Sequence, residues 1–198
     1  MRPGKRALDI IAAIAGLLLL SPLFAAIAVA IKLQSHGPIF FRQERVGRGS
    51  APFRIWKFRT MVADADRQGG VITVGKDPRI TSMGRVLRRF KLDELPQLMN
   101  VLAGEMTLVG PRPEVARYVD HYTAAQRAVL DLVPGITDPA SIEYRDEAAV
   151  LATHADPERA YIEQIMPRKI RLNLEYAARS TVRSDVTLIL RTVVHLGR

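Results

Sequence analysis

A run of 22 residues without a charged side chain, Ile10 to Ile31, constrains this chain more than any other feature. As a helix rising 1.5 Å per residue it is long enough to cross a hydrocarbon core of about 30 Å. Ser21-Pro22 sits near its middle. A proline there removes a backbone donor and clashes with the carbonyl four residues earlier. The hydroxyl of Ser21 is placed to satisfy the carbonyl freed near Leu18. Lys5 and Arg6, with Asp9, precede the run, and Lys32, Arg42, Arg45 and Arg48 follow it. Basic flanks favour the cytoplasmic side. Two basic flanks therefore favour a segment that dips into one leaflet, bends at Ser21-Pro22 and returns. A cleaved signal peptide, with small residues over Ala25–Ala30, is a second reading, although the run exceeds the usual core of about 7–15 residues. A single span kinked at proline is a third.

The rest of the chain has the balance of one globular domain. It has 198 residues, 48% hydrophobic and 25% charged, which excludes wholesale disorder. Residues 1–118 carry 19 Lys/Arg against 9 Asp/Glu, and residues 119–198 carry 10 against 11. The front of the protein thus faces something anionic: nucleic acid, a headgroup surface or a phosphorylated substrate. Twelve aromatic residues, without an RNA-binding motif or a helix-turn-helix pattern, argue against nucleic acid. The absence of cysteine excludes disulfides and thiolate metal sites, and His36, His121, His154 and His195 lack metal-ligand spacing.

Gly37-Pro38 ends the apolar segment. Ile39–Arg45 and Phe53–Thr60 read as strands joined by a turn at Gly47-Arg48-Gly49-Ser50, and Asp64–Val74 reads as a loop. From Ser82, Met83, Val86, Leu87 and Phe90 recur at helix spacing among Arg85, Arg88, Arg89 and Lys91. Such a basic amphipathic helix suits either an anionic membrane surface or packing on the core. A second helix is expected from Asp93-Glu94-Leu95-Pro96 to Leu102, stopping at Gly104, and a third over Glu114–Leu132, broken by Pro134-Gly135. Asp156-Pro157 has the form of a helix start, and Val186, Ile189, Leu190 and Val193 form a last apolar stripe opposite Arg183 and Arg191.

Asp93 and Glu94 are adjacent carboxylates in an arginine-rich region. Phosphate transfer needs a nucleophile, cations to neutralise developing charge, and a metal to gather phosphate oxygens. A carboxylate can be the nucleophile, and Mg²⁺ needs only one or two carboxylates besides phosphate and water. Arg88 and Arg112, the latter fixed between Pro111 and Pro113, suit phosphate clamps. An acidic pair at a helix start is also the commonest form of solvated cap.

Leu92-Asp93-Glu94-Leu95-Pro96-Gln97-Leu98, Asn100-Val101-Leu102, Gly104, Met106 and Val109-Gly110-Pro111-Arg112-Pro113-Glu114 resemble the signature of the bacterial sugar transferases, the monotopic phosphoglycosyl transferases. Lys5-Arg6 with Asp9, Ser21-Pro22, Lys57-Phe58-Arg59-Thr60-Met61, Asp77-Pro78-Arg79-Ile80-Thr81 and Pro134-Gly135-Ile136-Thr137 follow in the family's order. The chain resembles the small, catalytic-domain-only form.

The resemblance implies an α+β, mostly helical fold. Residues 1–34 would form a re-entrant membrane helix-break-helix bent at Ser21 and Pro22. Residues 35–198 would form a catalytic domain on the cytoplasmic face of the bacterial inner membrane, with a short β-hairpin and interfacial amphipathic helices. Asp93 would attack a UDP-sugar, release UMP and hold a phosphosugar for transfer to polyprenyl (undecaprenyl) phosphate, the first membrane step of glycoconjugate assembly. Asp93 and Glu94 would act with Mg²⁺, and Lys57, Arg59, Arg88, Arg112 and Arg145 would bind substrate. Nucleic acid is no partner in this reading, and the motifs encode neither the sugar nor the oligomeric state. Many members follow Pro-Gly-Ile-Thr with Gly-Trp-Ala-Gln-Val-Asn-Gly-Arg; here Asp138-Pro139-Ala140-Ser141-Ile142-Glu143-Tyr144 precedes Arg145. The contrasting function class is a basic membrane-surface binding protein without catalysis.

Overall fold

The computed structural model describes residues 3–65 and 77–196, so most of the loop expected over Asp64–Val74 lies outside the described residues. Helices α1 (Pro3–Leu19) and α2 (Ser21–Gln34) bend by 59° at Ser21-Pro22. Pro22 cannot donate to the carbonyl of Leu18, and the Ser21 hydroxyl donates to it instead at 2.8 Å. No single described helix is long and apolar enough to cross a membrane; only the bent pair has the length and composition.

Both arms are built into the core. Ala13 of α1 is fully buried against Leu98, Val101 and Met106, while Ile27 and Ile31 of α2 pack on Phe58 and Leu87. The other sides of the arms carry bare apolar residues, including Ile11, Leu18, Leu19, Val29 and Leu33. The start of α1 is pinned by polar ties. Buried Asp9 accepts from the Thr107 hydroxyl at 2.6 Å and the Leu108 amide at 3.0 Å. Lys5 donates to the Val109 carbonyl and to Asp185, and Arg6 to the carbonyls of Val101 and Leu102.

Strands β1 (Phe40–Val46) and β2 (Pro52–Phe58) form the expected antiparallel hairpin, with Gln43 opposite Ile55 and Gly49 and Ser50 left-handed in the turn. Thr81 caps α3 (Ser82–Arg89) by accepting the Gly84 amide. The apolar positions of α3 divide: Leu87 is fully buried and Met83 packs beside it, while Val86 and Phe90 are exposed. Core packing holds the helix, since burying a leucine side chain contributes about 1.5–3 kcal/mol, and an apolar edge remains outside.

The helix expected from Asp93 is instead a 3₁₀ turn over Leu92–Gln97 followed by α4 (Leu98–Ala103), which stops at left-handed Gly104 as anticipated. Next come β3 (Thr107–Val109) and α5 (Ala116–Val119), a 3₁₀ turn over Gln126–Asp131, and β4 (Gly135–Thr137), which pairs with β3 in parallel. A continuous helix over Glu114–Leu132 does not form. The Thr123 amide donates to the Gln126 side chain and the Gln126 amide to the Thr123 hydroxyl, a reciprocal cap that starts a new turn. The parallel pair was not anticipated. Gly110 and Gly135 lie so close that a Cβ on Gly135 would sit 2.1 Å from the Gly110 nitrogen. Side chains at these positions would drive the two segments apart.

Helices α6 (Pro139–Glu143), α7 (Glu147–Ala152), α8 (Pro157–Ala160), α9 (Met166–Arg179) and α10 (Val182–Leu196) complete the chain, with a π turn at Tyr161–Ile165 before α9. Asp156 caps α8 ahead of Pro157, as its sequence suggests. The last helix buries Asp185 and Leu188 but leaves Val182, Val186, Leu190 and Val193 exposed.

Candidate active site

The acidic pair is set by a strained turn. Lys91 adopts the left-handed conformation at φ 54, and its carbonyl accepts the Glu94 amide. A non-glycine residue in this region costs roughly 1–3 kcal/mol and persists where its surroundings enforce it. The turn reverses the chain after α3, so that Asp93 and Glu94 are both buried. Asn100 fixes this segment to the hairpin. Fully buried, it accepts from the Trp56 amide at 2.9 Å and donates to the Arg54 carbonyl at 2.9 Å, in the manner of a further strand.

Glu94 lies between two cations. Arg112 grips it with both terminal nitrogens, Nη1 to Oε2 at 2.9 Å and Nη2 to Oε1, and Lys57 Nζ meets Oε1 at 2.8 Å. Burial alone would raise the Glu94 pKa, but Arg112 and Lys57 outweigh it and hold the carboxyl well below its usual range. Burial lowers the Lys57 pKa despite Glu94, with Arg112 acting in the same direction.

Asp93 is the opposite case. Its Oδ1 is buried and, among the described residues, has no hydrogen-bond partner. Burial, then the neighbouring Glu94 charge, raises its pKa, against Lys57, Arg88 and Lys91. Two adjacent carboxyls thus have environments that push their pKa values apart, as is common where one carboxylate reacts and its neighbour serves as fixed charge.

Of the predicted substrate-binding residues, the fold gathers Lys57, Arg88 and Arg112 about the pair. Arg88 Nε donates to the Thr60 hydroxyl at 2.9 Å, and its charge acts on Asp93. Arg59 is engaged elsewhere: its guanidinium donates to the carbonyls of Ser35 and His36 at 2.7 Å, closing the end of α2. Gly37, at φ +119, leaves room for it; a Cβ there would meet Arg59 Nη1 at 2.1 Å. Arg145 lies exposed in the turn between α6 and α7.

Sequence reasoning overlooked the supports of Arg112. On one side Arg45 donates to the Pro113 carbonyl and to Glu114, whose other oxygen accepts from the Tyr161 hydroxyl. On the other, Asp138 accepts the Arg112 amide. A buried carboxylate within Asp138-Pro139 reads from sequence as a helix cap alone, which hides its second partner.

Among the described residues no group of three or more His, Cys, Asp or Glu side chains is disposed to hold a metal. Mg²⁺ needs less, since it keeps waters and takes phosphate oxygens beside one or two carboxylates. The unpartnered Asp93 oxygen fits that requirement, whereas both Glu94 oxygens already meet cations.

A family model described as bacterial sugar transferase matches residues 1–198. The chain is 48% identical over 118 residues to UDP-N-acetylgalactosamine-undecaprenyl-phosphate N-acetylgalactosaminephosphotransferase of Aeromonas hydrophila, an alignment covering 60% of this chain and 28% of that protein. It is 37% identical over 193 residues to UDP-glucose:undecaprenyl-phosphate glucose-1-phosphate transferase of Escherichia coli, covering 96% and 39% respectively. A protein of the same description from Caulobacter vibrioides is 38% identical over 195 residues, covering 97% and 69%. The chain therefore spans under half the length of the first two relatives.

Proposed function

Since the chain belongs to the bacterial sugar transferase family, we propose that it moves a sugar-1-phosphate from a UDP-sugar to undecaprenyl phosphate, with Asp93 as a covalent nucleophile. The observation that carries this reading is the buried, unpartnered Asp93 oxygen beside a Glu94 already neutralised by Arg112 and Lys57. An Asp93 oxygen bonds to the β-phosphorus as the bond to the bridging oxygen breaks, and UMP leaves with that oxygen. An oxygen of the lipid phosphate then attacks the same phosphorus, returning Asp93 as carboxylate and forming the diphosphate-linked sugar lipid. Arg112, whose two-pronged end grips Glu94, would meet the diphosphate with its remaining guanidinium N–H groups, and Lys57 and Arg88 add positive charge. Mg²⁺, held by Asp93, would gather and neutralise phosphate oxygens. Glu94 keeps the cations in place and disfavours ionised Asp93 until a cationic partner arrives.

Membrane attachment is part of this reading, supported by the bent pair and its bare apolar residues together with the exposed edges of α3 and α10. Leu17 and Phe24 still pack against the core, so the free tip is confined to residues 18–23. About three residues per arm reach about 5 Å, a shallow entry into one leaflet from the cytoplasmic face. Basic flanks on both sides support this topology.

The test is UMP release and intact mass. Purified protein with Mg²⁺ and a panel beginning with UDP-glucose and UDP-N-acetylgalactosamine should release UMP and gain one phosphosugar, and undecaprenyl phosphate should discharge the adduct. Asp93→Asn should do neither. Turnover without an adduct under rapid quench would replace the covalent route with a single displacement in which Asp93 is a base. No UMP release with any donor would sink the transferase reading.

A further inference from the structure

We propose that Asp138 is the positioning residue for Arg112, fixing its main chain so that the guanidinium meets both Glu94 and the donor diphosphate. This rests on the reading of Arg112 as the diphosphate clamp. Asp138 is fully buried and serves three donors with two oxygens. Oδ2 accepts the Arg112 amide at 3.1 Å and Asn173 Nδ2 at 2.9 Å, and Oδ1 accepts the Ser141 amide.

Two of these bonds are structural. Ser141 is the capped amide of α6, and Asn173 ties α6 to α9. The third is different in kind. Pro111 and Pro113 carry no amide hydrogen, so Arg112 has the only main-chain donor between Gly110 and Glu114. The prolines fix φ on either side, and the peptide unit entering Arg112 is held at both ends: the Pro111 carbonyl accepts the Gly135 amide at 2.9 Å, and the Arg112 N–H depends on Asp138. A two-pronged grip on a carboxylate tolerates little rotation, so a tilt at this amide is felt at the guanidinium.

The chemistry explains why a carboxylate stands here. An amide side chain offers one acceptor oxygen, and three donors converge on this position. The neighbouring cavity, lined by Arg112, Glu114, Asp138, Tyr161, Lys169 and Asn173 among others, holds about 40 Å³. That is room for water. Asp138 also opens the stretch in which the chain departs from the common family pattern.

The test exchanges two side chains, Asp138→Asn together with Asn173→Asp. The amide at 138 keeps its oxygen on the Ser141 amide and donates its NH₂ to the carboxylate at 173. The cap and the α6–α9 tie survive, while the Arg112 N–H is left facing a donor. The exchange should leave the melting temperature within a few degrees of wild type. It should lower kcat for UMP release roughly 10–10²-fold, the scale of a misplaced clamp, with KM for the lipid phosphate unchanged. In an Arg112→Ala background it should change kcat less than about twofold, because a group acting through another has nothing further to lose. Wild-type kcat in the exchanged protein, or an equal further loss without Arg112, would overturn the proposal.

If the exchanged protein does not fold, hydrogen exchange of the wild type decides. The stretch 111–113 contains a single main-chain hydrogen, that of Arg112, which exchange followed by NMR reads by itself. Protection of at least about 10²-fold over the free peptide is expected, and exchange at the free-peptide rate overturns the assignment. A wild type without UMP release would defeat the transferase reading and still leave this measurement to judge the hold of Asp138 on Arg112.

Discussion

Replacing Glu94 by Gln removes one buried negative charge from between two cations and keeps the shape. The amide can accept on one oxygen only, and its NH₂ must point at either the Arg112 guanidinium or Lys57 Nζ, donor against donor. Breaking a buried ion pair from one side costs about 3–5 kcal/mol. The Arg112 side chain is 32% exposed, so solvent screens part of the loss, and about 2–4 kcal/mol is expected. At about 2–4 °C per kcal/mol for a chain of this size, Tm should fall by roughly 4–16 °C. The pH dependence carries a sign. Glu94 has a depressed folded pKa, so its contribution is complete above the unfolded value of about 4.3 and is lost as pH falls through the folded one. The Tm gap between wild type and variant should therefore be full at neutral pH and narrow as pH falls below about 4. A second signature lies in the kinetics. Glu94 is one of the charges that raise the Asp93 pKa. Without it, the acid limb of kcat/KM for UMP release should move to lower pH, while the maximal rate falls about 10²–10⁴-fold. Differential scanning fluorimetry in detergent and a pH series of initial rates check both. An unchanged Tm with an acid limb that stays or moves upward refutes Glu94 as the shared counter-ion.

Asp93→Asn should lower turnover at least about 10³-fold yet raise Tm at pH 7.5 without Mg²⁺. The folded pKa of Asp93 is raised, so its contribution is full below about 3.9 and lost as pH rises through the folded value; a fall in Tm, or a tenth of wild-type activity, counts against the assignment. Arg112→Lys keeps the charge and loses the fork, and should cost roughly 10–10³-fold in kcat with the protein folded and membrane-bound; wild-type rates would leave Arg112 a surface residue of a turn. Arg59→Ala should lower Tm by several degrees and leave KM for the UDP-sugar within about twofold, because the guanidinium closes α2; a tenfold rise in KM would return Arg59 to the substrate site. Single cysteines at positions 2 and 50 of this cysteine-free chain should both label from the cytoplasmic side with an impermeant thiol reagent, and opposite-side labelling would replace the re-entrant arm with a span.

Local rules carried the sequence reading where a residue acts on its near neighbours. Ser21-Pro22, the Gly47–Ser50 turn, the stop at Gly104 and the Asp156 cap all form as their chemistry dictates. The helix expected over Glu114–Leu132 is bounded by its flanking prolines alone, while the Thr123–Gln126 cap that divides it lies inside those bounds. The β3–β4 pair joins short segments 28 residues apart, Thr107 with Gly135, and no local pattern announces it. In the site, the acidic pair and Arg112 stood out by motif. Arg59 is named for substrate by motif alone, and its terminal nitrogens donate to the carbonyls of Ser35 and His36, a local role that the motif does not announce.

Asp9, Lys5 and Arg6 fasten the first turns of α1 to α4 and β3, and β3 runs directly into the Gly110–Pro113 loop. Ala13, enclosed by Leu98, Val101 and Met106, stiffens the joint immediately beyond. Tip and arginine loop are therefore tied through the same short stretch of α1, α4 and β3. On the proposed attachment, the depth at which the tip comes to rest would set the height at which Arg112 is carried above the headgroups. A longer tip would then shift the whole reaction plane without altering its internal geometry.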